Sequence, residues 1–167
     1  MGDDGAYEKS IRKAFRLLTI RSRSCHELRS MLKDRGVPPP VIDQVVERLR
    51  ELSYLDDESF ARGWARNLAV NRLWGDRRIR ISLREKGIPD EVIEHAIVEA
   101  RKECDEGAAI ERLIEKKYGK KRSSDINSDV LKEKRRIMQN LRGRGFPTGL
   151  IFESLGKLKE EDGDDGE

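Results

Sequence analysis

Leu28 and Leu32, Ile79 and Leu83, and Ile137 and Leu141 form three apolar pairs, each spaced to share one stripe of a helix that is otherwise strongly charged. A second apolar set follows each pair: Val41, Ile42, Val45 and Val46, then Val92, Ile93, Ala96 and Ile97, then Leu150, Ile151 and Leu155. A third set precedes it: Ile11, Ala14, Phe15 and Leu18, then Phe60, Ala61, Trp64 and Leu68, then Ala109, Ile110, Leu113 and Ile114. Each unit therefore reads as three helices, A, B and C, whose stripes face one another. The pattern predicts an all-α fold of three tandem three-helix repeats in an elongated modular array. Its expected boundaries are a disordered N-terminus over 1–6, repeats over 7–53, 54–101 and 102–158, and an acidic disordered tail over 159–167.

The junction between helices B and C carries the same punctuation each time. Gly36-Val37 is followed by Pro38, Pro39 and Pro40, Gly87-Ile88 by Pro89, and Gly145-Phe146 by Pro147, which accounts for all five prolines. Glycine accepts the left-handed residue that ends a helix, the apolar residue beyond it folds back on the last turn, and proline opens the next helix. A single unit of about fifty residues buries too little surface to be stable alone, so stacking on its neighbours is expected. The short connections "SYLDD" and "ARKECDE" favour close succession, whereas "GKKRSSDINS", inside the third unit, reads as a mobile loop.

Composition narrows the class. Charged residues make up 40 % of the chain and apolar ones 36 %, so the buried stripes are narrow and most helical surface is wet. No apolar run has the length of a membrane span, and the start, "MGDDGAYEKS", has no basic and apolar leader pattern, so export is not expected. Cys25 and Cys104 sit in different units without a C-x-x-C or Cys/His cluster, which suits a reducing cytoplasm. The net charge of +3 hides an asymmetry: without the eight acids of "MGDDG" and "EEDGDDGE", 35 basic residues face 24 acidic ones, a charge of +11. A basic body with acidic ends points to a polyanionic partner, or simply to well-solvated helices.

Exposed positions keep register too. Counting back from each glycine, helix B presents His26, Arg29 and Lys33, then Arg77, Arg80 and Arg84, then Arg135, Met138 and Arg142, with Arg35, Lys86 or Arg144 directly before the glycine. Cations near a helix C-terminus are favoured by its dipole, but a row of arginines on one face repels itself by a few tenths of a kcal/mol per pair (about 0.2–0.5) and calls for another reason. Guanidinium groups fork onto phosphate or carboxylate oxygens, so the stripe suits nucleic acid or an acidic protein groove. A sequence-reading helix-turn-helix is disfavoured, because helix C carries Asp43 and Glu47 in one unit and Asp90, Glu91, Glu94 and Glu99 in the next. Trp64 falls on the apolar stripe as core, while Trp74 and Tyr54 are left open as stacking candidates.

No constellation for catalysis emerges. His26 and His95 are the two histidines, both on polar faces away from any nucleophile or metal-ligand pattern, and Asp56 and Asp57 read as the cap and first turn of a helix. No Gly-rich phosphate loop, G-x-S-x-G or H-E-x-x-H is present, so neither an enzyme nor a cofactor is expected.

The segments "AFRLLTIRSRSCHELRSMLKDRG", "LSYLDDESFARGWARN" and "GDRRIRISLREKGIPDEVIEHAI" resemble the bacterial RecX family of recombinase regulators, over nearly everything from Tyr7 to Leu158. The resemblance implies a cytoplasmic, noncatalytic protein that binds the RecA filament on single-stranded DNA, and a monomer is expected. There it would lower ATP hydrolysis, strand exchange and the filament-stimulated self-cleavage of the SOS repressor. Carried onto this chain, the expected contacts are first Arg77, Arg80, Arg84 and Lys86, then Arg29, Lys33 and Arg35. In the third repeat Met138 breaks the pattern, leaving Arg135, Arg142 and Arg144. Two other readings stand beside this one: a nucleic-acid binder without sequence preference that coats single strands through its basic face, and an adaptor whose basic face meets an acidic protein.

Overall fold

The computed structural model describes residues 3–118 and 130–160. The segment read as a mobile loop, 119–128, and the tail from 161 onward lie outside the described residues. Unit 1 consists of α1 (Asp3–Ile20), α2 (Cys25–Lys33) and α3 (Pro39–Glu51). Unit 2 consists of α4 (Asp57–Arg66), which a π-helical turn over Asn67–Asn71 prolongs, α5 (Asp76–Glu85) and α6 (Asp90–Glu103). Unit 3 consists of α7 (Glu106–Tyr118), α8 (Val130–Gly143) and α9 (Thr148–Glu160). Helix α1 begins at Asp3, so residues 3–6 are helical where a disordered end was expected, and α6 continues past the boundary placed at 101.

Each unit has its own core. The helix B pairs Leu28 and Leu32, Ile79 and Leu83, and Ile137 and Leu141 lie at the centre of three separate clusters. Helix C meets them with Val41, Ile42, Val45 and Val46, with Ile93, Ala96 and Ile97, and with Ile151 and Leu155, all buried. In α1 the buried face is turned toward Ala14 and Leu17, leaving Ile11, Phe15 and Leu18 half-buried against it.

The B–C turns follow their sequence pattern. Gly36, Gly87 and Gly145 have φ of 74°, 72° and 87°, the left-handed region that a side chain disfavours. Just beyond them the amides of Val37, Ile88 and Phe146 reach back to the carbonyls of Leu32, Leu83 and Leu141 at 3.1, 3.2 and 3.3 Å, closing the last turn. These three apolar residues are buried, as the fold-back requires.

What couples the units is the N-terminus of helix B. The first amides of a helix have no partner inside it, and here the following unit supplies acceptors to the capping residue and to the first helical amide. At α2 the Ser24 hydroxyl, which accepts from the Glu27 amide, donates to the Lys86 carbonyl at 2.7 Å, and the Cys25 amide donates to Asp57 Oδ1 at 2.8 Å. At α5 the Gly75 amide donates to the Arg144 carbonyl at 2.8 Å, and the Asp76 amide donates to Glu106 Oε1 at 2.8 Å. The two joints match in detail: the residue capping helix B meets the carbonyl just before the next unit's turn glycine. The first helical amide of helix B meets the carboxylate that opens the next unit's helix A.

The joints explain why the turns pack so closely. A Cβ on Gly87 would lie 2.4 Å from the Cβ of His26, and one on Gly145 would lie 2.6 Å from the Arg78 amide nitrogen, whereas one on Gly36 would meet nothing within 4 Å. Gly36→Ala is therefore expected to cost only the left-handed backbone penalty, about 1–2 kcal/mol. Gly87→Ala adds a clash to the same penalty, and urea denaturation of the two variants should show a clearly larger loss at 87 than at 36.

Candidate partner-binding face

Helix B presents cations to solvent, but three of the expected stripe are tied to acids of their own unit. Arg29 pairs with Asp43, Arg80 makes two bonds to Glu94 at 2.5 and 2.9 Å, and Arg84 bonds Asp90 at 2.7 Å. These carboxylates are on helix C, so the acids that argued against phosphate reading neutralise the stripe. The hydrogen bond from Arg80 holds the Glu94 carboxyl below its ordinary range, and that from Arg84 does the same for Asp90.

Lys86 and Arg144 turn inward to the joints. Lys86 Nζ bonds Glu27 Oε1 at 2.7 Å with its side chain 16 % exposed, and an Arg144 guanidinium nitrogen donates to the Arg72 carbonyl at 2.5 Å. Both are thus engaged inside the molecule. Lys33, Arg77, Arg135 and Arg142 are exposed and form no ion pair among the described residues, and Arg35 reaches only the Met31 carbonyl at 2.9 Å. His26 is exposed against the Gly87 turn, and Met138 packs on the third core. At the centre of the solvent face of α5, between Arg77 and Arg84, stands Ile81, 47 % exposed.

The aromatic residues divide. Trp64 is half-buried on the second core, donates to Ser82 Oγ at 3.1 Å, and is covered by Lys86 Nζ at 4.4 Å from its ring centre. The Arg78 guanidinium lies 3.9 Å from the Trp74 ring centre. Both indoles thus hold cations of the joints, and neither presents that face to a base. Tyr54 is 58 % exposed and meets Phe15 edge-on.

Two features escaped the sequence reading. Lys9, Lys13 and Arg16 lie at helical spacing on the outer face of α1, exposed and without an ion pair among the described residues. The reading of that helix followed its apolar stripe and passed over the opposite one. The second is Glu27, clamped between Arg21, at 2.9 and 3.0 Å, and Lys86. A signal was present in Ser24-x-x-Glu27, the capping-box pattern, which α2 adopts.

Asp56 is the N-cap of α4 and accepts from the amides of Glu58 and Ser59. Burial, followed by the facing Asp57 carboxylate, pushes the Cys25 thiol up to about 11, away from a reactive thiolate. Among the described residues no group of His, Cys, Asp and Glu is placed to hold a metal ion, and no helix is long and apolar enough to cross a membrane.

The Glu27 clamp makes the first joint sensitive to acid. Burial alone would raise its carboxyl, but hydrogen bonds from Arg21 and Lys86 outweigh this and bring it from the ordinary 4.5 to about 2. A depressed carboxyl contributes stability that is complete above pH 4.5 and is lost as the pH falls toward 2. The stability gap between the wild type and Glu27→Gln, followed by urea unfolding, should be constant above pH 4.5 and close toward pH 2.

Three family models match the chain in order: the first three-helix domain of RecX over residues 11–49, the second over 56–97 and the third over 105–155. The regulatory protein RecX of Mycolicibacterium smegmatis is 33 % identical over 146 residues, covering 87 % of this chain and 77 % of that one. The namesake from Prosthecochloris aestuarii is 32 % identical over 155 residues, covering 93 % and 97 %. That from Geobacillus kaustophilus is 34 % identical over 144 residues, and the match spans about half of it, 52 %. The crystal structure of RecX from Lactobacillus salivarius superposes with a TM-score of 0.76 at 20 % identity over 93 % of this chain, a likeness of fold.

Proposed function

The chain belongs to the RecX family, and we propose that it is a noncatalytic, cytoplasmic regulator that binds the RecA filament on single-stranded DNA as a monomer and restrains it. The observation that carries this reading is the outer face of α5. Ile81 stands exposed between Arg77 and Arg84, and the neighbouring cations are already balanced by Glu94 and Asp90. A face with an apolar centre and charges of both signs fits a protein surface better than a run of phosphates. Three coupled units present helix B repeatedly, which suits successive subunits of a filament and lets several weak contacts add through multivalency. Arg77, Arg80 and Arg84 are the central contacts, Lys33, Arg35, Arg135 and Arg142 the flanking ones, and Arg29 engages by exchanging Asp43 for the partner. Lys86 and Arg144 hold the units in place behind them.

A second reading, direct contact with the single strand, draws on Lys9, Lys13 and Arg16 of α1, the unpaired cationic row. These three would neutralise about three phosphates, and log affinity should fall with log salt at a slope near about −2.

ATP hydrolysis by preformed RecA filaments should fall when this protein is titrated in well below one molecule per recombinase. The double variant Arg77→Glu, Ile81→Asp should require about tenfold more protein for the same inhibition, a loss of about 1.4 kcal/mol. Full inhibition by that variant removes α5 from the interface. No inhibition by the folded wild type removes the filament reading and leaves the α1 row to be tested on bare DNA.

A further inference from the structure

The joint made twice inside this chain leaves one half unused. In units 2 and 3 the turn before the glycine seats on the N-terminus of a helix: Lys86 and Arg144 offer carbonyls to Ser24 and Gly75, and the Lys86 ammonium meets Glu27 in the first turn of α2. The corresponding turn of unit 1, Arg35-Gly36, has the same left-handed glycine and the same preceding cation, but lies open. Its surroundings are cationic. Lys33 is exposed beside it, and Arg23 is close enough that its guanidinium is held below the usual range by burial, then by Arg21 and Arg35. Arg21 is engaged by Glu27, and the one acid in the turn, Asp34, is exposed and pairs with none of these cations.

The sockets that serve this joint inside the chain are not left open for a second copy. The sockets at α2 and α5 are filled from within. The position in unit 3 that corresponds to Ser24 and Gly75, twelve residues before the glycine, is Glu133, and it lies inside α8, which begins at Val130. The amides that would receive a turn there belong to the helical ladder. A turn that offers a carbonyl and a guanidinium, among unpaired cations, is complementary to a helix start that offers free amides and a carboxylate.

We propose that the Arg35-Gly36 turn is the docking end of the array, and that it seats on the N-terminus of an exposed helix of the protein partner, one with a carboxylate in its first turn. The contact repeats between molecules the joint that the chain makes within itself. It rests on the reading that the partner is a recombinase filament.

The test uses the full chain, fluorescently labelled, with anisotropy on preformed filaments and on a bare oligonucleotide of the same length. The wild type is compared with Arg35→Glu and with Lys116→Glu, an equal charge change on an exposed residue of α7. Arg35→Glu should weaken filament binding at least tenfold and change oligonucleotide binding less than twofold, while Lys116→Glu leaves both unchanged. Filament binding by Arg35→Glu within twofold of the wild type overturns the proposal, as does an equal loss on the bare oligonucleotide, which makes the turn a phosphate contact. A folded wild type that binds no filament has a different signature: the functional reading fails first, and this proposal with it. A photo-crosslinker at Asp34 adds an independent measure, where adducts in the first turn of a partner helix support the seat and adducts on DNA or on a strand overturn it.

Discussion

The structure depends on what happens to the amides at the start of helix B. A helix end has no internal partners for its first N–H groups, and burying that end without substitutes costs about 1–3 kcal/mol for each unmet group. Units 1 and 2 bury it, and the next unit meets two donors there: a turn carbonyl takes the Ser24 hydroxyl or the Gly75 amide, and a carboxylate takes the first helical amide. The carboxylates come from the opening residues of α4 and α7, so one acid serves both the start of its own helix and the end of another. The turn approaches so closely that only glycine fits at 87 and 145 on steric grounds as well as on backbone ones. In unit 3 helix B starts four residues earlier relative to its glycine than in units 1 and 2, so the corresponding socket is absorbed into the helix.

The two joints share this arrangement and differ in what backs it. The first is polar: Arg21, Glu27 and Lys86 form one charged cluster over the face of Trp64. The second adds an apolar anchor. Val70 packs on both the second and third cores, and Leu73, in unit 2 by chain order, is buried in the core of unit 3. Leu73 has a φ of 52°, which for a residue with a side chain costs about 1–2 kcal/mol. Burying a leucine returns about 1.5–3 kcal/mol, so the strained backbone is the lesser term. The extra backbone of the π-helical turn lies directly before it and leads the chain to that position.

The helices, their faces and their turns were legible because each rests on local periodicity and local turn chemistry. All eleven apolar residues assigned to helix C lie in the cores or on their margins, by the same three-and-four spacing that defines helix B; nine are buried, and Val92 and Leu150 are half-buried. The state of the basic stripe was not legible in that way. Arg29 with Asp43 and Arg80 with Glu94 are both fourteen residues apart, across a turn, and no single-helix pattern connects them. The repetition of that interval in two units was a usable signal, as was the capping box at Ser24. The joints were out of reach, since Ser24 and Lys86 are separated by 62 residues and nothing local to either indicates the other.

The pairing of the stripe bears on how a partner is chosen. An exposed ion pair contributes about 0–1 kcal/mol, so Arg80 and Arg84 can exchange their carboxylates for a partner at little loss. The exchange is unequal between partners. A bare phosphate chain gains the arginines but must lie beside Glu94 and Asp90 once they are released, and like charges so close oppose it. A protein surface that offers an acid to the arginine and a base to the released carboxylate avoids that repulsion, and it covers Ile81 as well. On the proposed reading, the acids of helix C would act less as a brake on binding than as a filter on its kind, weakening contact with polyanions more than contact with a mixed-charge protein groove. Such a bias would be built from pairs whose individual energies are small, and its basis is a pairing that recurs from the first unit to the second.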